Sequence, residues 1–301
     1  MKITKQEPLK PWSWWRTGGP AEFFCQPENP EELKEALSWA HKKNQEVSVL
    51  GGGTNVLISD EGVKGLVIST KKLSTLHIKE EKETLKISAE GGVLKSNLCV
   101  AFRKYHLAPA LFLSGLPGDV GGGVVMNAGV GADFPSEFSQ IVEWFEVMTH
   151  QEIKHYNQKE IEWGYRWTSG WKPGVIYKVS FSWPLEKEEN LNQKIKTSLK
   201  KRRASQPLSQ PSCGSVFKNP KGQFAGELIE KSGLKGLQKG SAMISEKHGN
   251  FIVNLGNACS KDIDHLIQTI QSEVKNKFNI SLETEVHYLG KWKNRERFYK
   301  T

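Results

Sequence analysis

The sequence predicts an α+β protein built from more than one domain. Its 301 residues exceed the usual size of one compact domain. The first part mixes a helical pattern with short apolar strands, and the pattern becomes hairpin-like near Leu73. The composition turns charged and polar between Glu186 and Gln210, and a further set of helices and strands follows. These observations predict three domains at residues 1–72, 73–200 and 201–301.

The first predicted helix follows Asn29, a good N-cap, and begins with Pro30, which suits the first helical position. Apolar residues at helical spacing support it up to about Asn44. Short apolar runs at 47–50, 56–58 and 66–68 predict strands, listed here in chain order. The first region is therefore mixed α/β.

The middle region alternates hairpin and helix patterns. The predicted elements are strands at 76–78 and 85–87, a helix at 92–106 with Leu94, Leu98 and Phe102 on one side, and strands at 141–149 and 175–183. Beyond residue 201 they are a helix at 225–231, a strand at 251–254, a helix capped by Ser260, and a strand at 285–289. This last part is long enough to fold by itself.

Composition and charge narrow the function classes. No apolar run approaches the roughly 20 residues that span a bilayer, and the polar residues 1–10 contain no signal-peptide core, so a cytoplasmic protein without a membrane partner is expected. The four cysteines form no CxxC pair and the histidines have no zinc-ligand spacing, so neither disulfides nor a metal site are expected. The net charge of +9 indicates an anionic partner without specifying it.

A nucleic-acid-binding protein is one alternative that this charge and ten tryptophans raise. Binding of single strands would need basic residues interleaved with exposed aromatic side chains. The densest basic run, residues 194–203, contains no aromatic residue, and a solvated helix face explains most of it. We therefore predict no nucleic-acid partner.

Two glycine-rich stretches are candidates for phosphate binding. Residues 51–55, Gly-Gly-Gly-Thr-Asn, follow a predicted strand, and glycines let backbone N–H groups approach an anion closely. This loop is neither GxGxxG nor a P-loop, and alone it favours a tight structural turn. The second stretch places five glycines between Gly115 and Gly123. Together they indicate two backbone cradles around one ligand with a pyrophosphate, although two unrelated turns stay an alternative.

The chain resembles the UDP-N-acetylenolpyruvoylglucosamine reductase family through motifs in family order from Arg16 to about Gly290. The cofactor half is similar at Arg16-Thr-Gly-Gly-Pro-Ala21, Leu50-Gly-Gly-Gly-Thr-Asn-Val-Leu57, Gly115-Leu-Pro-Gly118 and Met126-Asn-Ala-Gly129. The catalytic half is similar at Tyr165-Arg166, residues 211–220 (PSCGSVFKNP), residues 225–230 (AGELIE), residues 249–254 (GNFIVN) and Glu285-Val286. Any one motif would be weak, but the ordered set is specific.

The resemblance implies the vanillyl-alcohol-oxidase/PCMH type of FAD-binding fold. In it two α+β subdomains hold FAD between them, and a C-terminal α+β domain binds the substrate. The implied activity is NADPH-dependent reduction of UDP-N-acetylglucosamine enolpyruvate to UDP-N-acetylmuramate, in bacterial cell-wall synthesis, by what is expected to be a monomer. FAD should be non-covalent, because the first glycine loop has no histidine. The short segment after Lys172 resembles the subtype without an inserted tyrosine loop.

The resemblance also assigns the site residues. It implies cofactor contacts at Gly51, Gly52, Gly53, Thr54, Asn55, Gly115, Pro117, Gly118, Gly121, Gly122, Asn127 and Gly129, and substrate contacts at Tyr165, Arg203 and Asn219. Ser215 is the implied proton donor, while Arg166 and Glu285 stabilise negative charge on the substrate carboxylate. In isolation, Ser215 would be a turn residue, Arg166 a surface ion-pair residue and Glu285 a solvated residue.

Four places depart from the family pattern: Asp119, His287, residues 167–172, which differ by one residue, and Gly249, where alanine is usual. Asp119 stands where a small hydroxyl residue is common, and an extra acid near a pyrophosphate should repel it unless the side chain points away. His287 replaces the arginine usual after Glu-Val. Two further alternatives stay open on these residues, another FAD-dependent oxidoreductase of the same fold and a family member that has lost activity. All three implied catalytic residues are present, which favours an active reductase.

Overall fold

The computed structural model describes residues 1–131 and 134–292. The first region contains a four-stranded sheet in the order β1-β2-β5-β3, in which β2, β5 and β3 are parallel and β1 pairs antiparallel with β2. Its elements are β1 (Ile3–Pro8), β2 (Pro20–Cys25), α1 (Pro30–Lys42), β3 (Val47–Leu50), β4 (Val56–Ile58) and β5 (Val63–Ser69). The three predicted strands and the helix of this region are all present.

Helix α1 forms for the reasons that the sequence suggests. The side chain of Asn29 accepts a hydrogen bond from the backbone N–H of Glu32 at 2.9 Å. Leu33, Ala36, Leu37 and Ala40 are buried against the sheet, as their helical spacing predicts. The helix ends at Lys42, two residues earlier than predicted.

The middle region contains a five-stranded antiparallel sheet in the order β6-β7-β12-β8-β9. Its elements are β6 (Leu76–Glu81), β7 (Thr84–Glu90), α2 (Lys95–Lys104), α3 (Pro109–Leu113), α4 (Val120–Val125), β8 (Val142–Met148), β9 (Ile153–Asn157), β10 (Glu162–Gly164), β11 (Trp167–Ser169), β12 (Val175–Pro184) and α5 (Leu191–Ser205). Helix α2 begins three residues later than predicted. Leu94 therefore precedes it in extended conformation and is half exposed, not on the buried side with Leu98 and Phe102.

The last region packs a small sheet, in the order β13-β14-β15, against a long helix. Its elements are α6 (Ala225–Lys231), β13 (Gln238–Lys239), β14 (Ala242–Ile244), β15 (Ile252–Asn254), α7 (Ser260–Phe278) and β16 (His287–Leu289). The N-cap of α7 is Cys259, whose N–H faces the Asp262 carboxylate at 3.3 Å, and the predicted cap Ser260 is the first helical residue. The apolar positions of α7 face the core as predicted.

Several contacts join the first and last regions. Strand β16 pairs in parallel with β4, so the end of the described chain returns to the first region. Trp15 is fully buried in the core of the last region, and its indole N–H donates to the carbonyl of Ile252 at 2.7 Å. The predicted domain divisions stay a prediction, and α5 spans the position of the second one.

Within the described residues, no helix combines the length and apolar character needed to cross a membrane. The same part of the chain holds no cluster of three or more acidic, histidine or cysteine side chains suited to a metal ion. All four cysteines are free thiols, with Cys25 and Cys213 buried.

Candidate functional site

The two glycine stretches meet backbone to backbone. A Cβ atom on Gly52 would lie 2.8 Å from the Cα of Gly118, and one on Gly118 would lie 2.6 Å from the hydroxyl oxygen of Thr54. Gly53 has a positive φ of 68°, and a Cβ there would lie 1.8 Å from the carbonyl oxygen of Trp12. Only glycine fits these positions, so the local sequence is required by the approach of the two loops.

A cleft opens along these loops. Its wall comprises residues 46–56, Thr70, Lys95, Asp119, Gly121, Gly122, Val125, Met126, Trp171, residues 173–174, Ile176 and residues 287–290. The whole first glycine loop lines it, together with residues from the start of α4 and from β16. The sequence-predicted cofactor residues Gly51, Gly52, Gly53, Thr54, Asn55, Gly121 and Gly122 are therefore together on one surface.

The other sequence-predicted cofactor residues do not line this cleft. Gly115 faces α5, because a Cβ there would lie 2.9 Å from a guanidinium nitrogen of Arg202. Gly118 supports the contact between the loops, and Pro117 is adjacent to it in the chain. Asn127 is buried and donates from its side chain to the carbonyl of Gly164 at 3.1 Å.

Arg166 lies in the tight connection between β10 and β11, where its φ is 66°. The guanidinium donates from Nη2 to the carbonyl oxygen of Gly129 at 2.7 Å and lies over the ring of Tyr165, 4.8 Å from its centre. Gly129 thus holds Arg166, and Asn127 holds the preceding strand through Gly164. Both residues position the arginine.

Glu285 meets Arg166 although 119 residues separate them in the chain. The Nε of Arg166 donates to Oε1 of Glu285 at 3.1 Å, and both side chains are mostly buried. Burial raises the pKa of Glu285 above its ordinary value, while Arg166 and, more weakly, Lys218 oppose that shift. The carboxyl group therefore gains a proton more readily than a solvated glutamate.

Ser215 lies on the segment that pairs with the Glu285 segment. The backbone N–H of Glu285 donates to the carbonyl of Val216, the residue after Ser215, at 2.7 Å. Asn55 joins the same place from the first glycine loop, because its side chain donates to the carbonyl of Glu285 at 3.1 Å. Arg166 and Glu285 are thus in contact, Ser215 lies on the segment that hydrogen-bonds to Glu285, and Asn55 links Glu285 to the glycine-lined cleft.

Comparisons with known proteins identify this arrangement. Residues 206–289 match the model for the C-terminal domain of UDP-N-acetylenolpyruvoylglucosamine reductase, and residues 21–152 match the FAD binding domain. The reductase of Clostridium tetani is 38% identical over 290 residues, which cover 96% of this chain and 92% of that relative. The reductase of Listeria welshimeri is 37% identical, with 96% of both chains covered. The chain belongs to the UDP-N-acetylenolpyruvoylglucosamine reductase family.

A solved structure supports the same assignment. The crystal structure of UDP-N-acetylenolpyruvylglucosamine reductase from Thermus caldophilus superposes with a TM-score of 0.77 at 32% identity, covering 96% of this chain and 98% of that one. The predicted family, the α+β FAD-binding fold class and FAD as the cofactor are confirmed. The glycine-lined surface fits that cofactor. Its glycines leave backbone without side chains at positions where a larger residue would clash with neighbouring atoms, and Lys95 adds a positive charge to the cleft lining.

A second depression contains two of the predicted substrate residues. Tyr165 and Asn219 line it with Trp167, Lys218, Pro220, Lys221, Ser281 and Glu283. Asn219 also accepts a hydrogen bond from the N–H of Ala225 at 3.0 Å, which orients its amide. Arg203 does not line this depression; it is exposed on α5, where its carbonyl accepts a hydrogen bond from Lys247. Its neighbour Arg202 packs on Gly115 instead.

Two cleft residues with basic side chains, Lys95 and His287, were not predicted as site residues. Lys95 is buried at the start of α2, where a lysine in sequence indicates only a solvated helix end. His287 lines the cleft beside Met126, and burial, with a smaller effect of Lys218, lowers its pKa to about 4. One signal for His287 was present in the sequence, because this residue departs from the arginine usual in the family. For Lys95 there was none.

Proposed function

We propose that this chain reduces the enolpyruvyl group of UDP-N-acetylglucosamine enolpyruvate to give UDP-N-acetylmuramate for peptidoglycan precursors, with NADPH as the reductant. The observation that carries the proposal is the direct contact of Arg166 with Glu285 beside the cleft that the glycine loops line. The cation of Arg166 and the carboxyl group of Glu285, whose pKa is raised, can together stabilise a substrate carboxylate that gains negative charge during a reaction.

FAD would be held without a covalent bond by residues 51–55 and by Gly121 and Gly122. The first loop carries Thr54 and Asn55 and contains no histidine that could attach the flavin. The chemistry that FAD supplies when bound is hydride transfer, from NADPH to the β-carbon of the enolpyruvyl group. The protein's part is to bind, orient and place charge around that transfer.

Arg166 and Glu285 would stabilise the substrate carboxylate. Hydride addition at the β-carbon builds negative charge on that carboxylate, and Arg166 offers it a fixed cation. Glu285 contributes only when protonated, since an ionised glutamate would repel the charge. Its burial favours the protonated form, and 17% exposure of both side chains leaves little water to screen them.

Ser215 would supply the proton that the α-carbon gains. Serine is a weak acid, so it needs polarisation by neighbours or a relay to a stronger acid. The proposal is supported by its place one residue before Val216, whose carbonyl accepts the Glu285 N–H. Gly214 before it has a φ of 77° and no atom within 4 Å of its Cβ position, so the turn is open toward an incoming ligand.

The sugar nucleotide would occupy the depression of Tyr165 and Asn219. Glu283 pairs with Lys218 there at 2.6 Å, and Lys221 lines the same depression, so two ammonium groups and one carboxylate would face a diphosphate. We retain Arg203 as a diphosphate contact, supported by its exposed position on α5. A cytoplasmic location and a monomeric state also stay predictions, the second of which gel filtration would test.

Anaerobic half-reactions test the proposed function. NADPH should bleach the oxidised flavin absorbance of the holoprotein, and subsequent addition of UDP-N-acetylglucosamine enolpyruvate should restore it. Crotonate, an unsaturated acid without the sugar nucleotide, is a matched control that should restore the absorbance far more slowly. If the sugar nucleotide left the flavin reduced, the proposed substrate would be wrong.

A further inference from the structure

Lys95 places a buried ammonium group where the two glycine loops meet. Its side chain is 6% exposed, and its backbone N–H donates to the carbonyl of Gly118 at 2.9 Å. The Nζ atom lies 3.5 Å from the position that a Cβ on Gly118 would take, a point also 2.6 Å from the Thr54 hydroxyl. The charge therefore lies at the narrowest part of the backbone cradle, and the residue lines the cleft.

This ammonium is poorly compensated by the protein. Among the residues that the structure describes, no hydrogen-bond acceptor contacts Nζ, which lies 5.8 Å from the ring centre of Phe138. Burial lowers the pKa of Lys95 to about 8, Asp119 opposes that shift, and Arg166 adds to it. A buried cation without an acceptor is unfavourable, and an anion in the cleft would remove the penalty.

Asp119 places the opposite charge in the same cradle. It is 3% exposed, and its Oδ1 accepts the N–H of Gly122 at 2.7 Å. Its Oδ2 lies 2.0 Å from the position of a Cβ on Gly51, and within the described residues it receives no hydrogen bond of ordinary geometry. Burial raises the pKa of Asp119, while the N–H of Gly122 and the charge of Lys95 oppose that shift. The side chain does not point away from the loops, so its ionised form would by itself repel a phosphate group.

We propose that Lys95 binds the diphosphate of FAD and that Asp119 is its counter-charge. Asp119 attracts the ammonium within the cradle, and Lys95 in turn cancels the repulsion that the buried carboxylate would exert on the cofactor. The inference depends on FAD as the cofactor and is independent of the reduction that we propose.

Binding measurements on the apoprotein test this pair separately from turnover. Lys95→Met keeps the apolar stem and removes the charge. It should raise the dissociation constant of FAD by about 10- to 100-fold, because a charged contact is lost and Asp119 is left without its counter-charge. ADP, which retains the diphosphate, should lose a similar factor in calorimetric titration. Riboflavin, which has no phosphate, should bind as it does to the wild type.

Two further variants keep the test decisive. Lys104→Met changes an exposed lysine at the other end of the same helix and should leave all three dissociation constants unchanged. Lys95→Met with Asp119→Ser removes both charges and should bind FAD more tightly than Lys95→Met alone, yet more weakly than the wild type. The proposal would be overturned if this double variant bound FAD as tightly as the wild type. It would also be overturned if Lys95→Met weakened riboflavin binding as much as FAD binding.

Discussion

At the scale of single residues, the site combines groups whose ordinary properties are altered by burial. Glu285 is more readily protonated than a free glutamate because it is desolvated, although Arg166 is 3.1 Å away. Ser215 has no acidic character of its own and depends on its surroundings. These two residues therefore give the sharpest tests of the proposed roles.

Ser215→Ala should separate the two half-reactions. Reduction of the flavin by NADPH should be unchanged, because no proton from Ser215 enters that step. Reoxidation by the enolpyruvyl substrate should slow by roughly 10²- to 10⁴-fold, the usual worth of a positioned proton donor. Stopped-flow absorbance of the flavin measures both rates, and an equal loss in both would reject the role.

Glu285 should make reoxidation pH-dependent. The group acts when protonated, so the rate should be highest below its raised pKa and fall as the pH rises through it. Glu285→Gln cannot ionise, so it should react more slowly at low pH and lose this descending limb. A limb that persists unchanged in Glu285→Gln would assign the titration to another group. Rates are followed by single-turnover stopped flow across pH 5–9.

At the scale of elements, short irregular segments position the site more than regular helices do. The β10–β11 hairpin presents Arg166, and Asn127 and Gly129 fix that hairpin from the stretch after α4. The two glycine stretches are held together by backbone packing between Gly52 and Gly118. Cofactor affinity should therefore depend on small changes in loop volume.

Gly52→Ala tests the packing of the loops. The added methyl group would lie 2.8 Å from the Cα of Gly118, so the loops must separate. We expect FAD affinity to fall at least tenfold, measured by quenching of flavin fluorescence. Gly226→Ala in α6 is the control, because the closest neighbours of its methyl group would be side chains rather than backbone, His248 at 3.1 Å and Asn250 at 3.7 Å. Equal FAD affinities of the two variants would contradict the hypothesis that close packing of the glycine loops is needed for FAD binding.

At the scale of the whole molecule, the N-terminal segment and the last region share a core. Trp15 packs with Leu57 and the apolar side of α7, and Asn254 donates from its side chain to the Trp15 carbonyl at 2.7 Å. The parallel pairing of β16 with β4 joins the same regions at the cleft. The first and last regions are therefore joined both by a shared core and by a strand pairing.

Trp15→Ala should destabilise the fold by roughly 3–5 kcal/mol, through the cavity and the lost indole hydrogen bond. Trp14→Ala, beside it in sequence but 51% exposed, should change the free energy of unfolding by about 0.5 kcal/mol or less. Urea denaturation followed by circular dichroism measures both. A Trp15 variant as stable as the wild type would show that the shared core contributes little.

Local sequence patterns determined much of the secondary structure. Asn29 and the apolar spacing after it predicted α1, and the apolar spacing after Ser260 predicted α7. Both predictions were possible because the residues that form the buried face of a helix recur at regular spacing within one stretch of sequence. The pattern did not reveal β1, whose exposed residues do not alternate with buried ones. It also did not reveal that residues 120–125 form a helix, because glycine favours turns.

The sequence by itself determined the family, the cofactor class and the identities of the catalytic candidates, because these reside in short ordered motifs. Only the tertiary structure decided that Arg166 reaches Glu285, that Asn127 and Gly129 support the arginine, and that Lys95 shares a cradle with Asp119. The apolar periodicity of a segment indicates which of its residues are buried, but not which distant segment packs against them. Tertiary packing determines which residues contact each other, and those contacts and the accompanying burial shift the pKa values of the charged groups in the site.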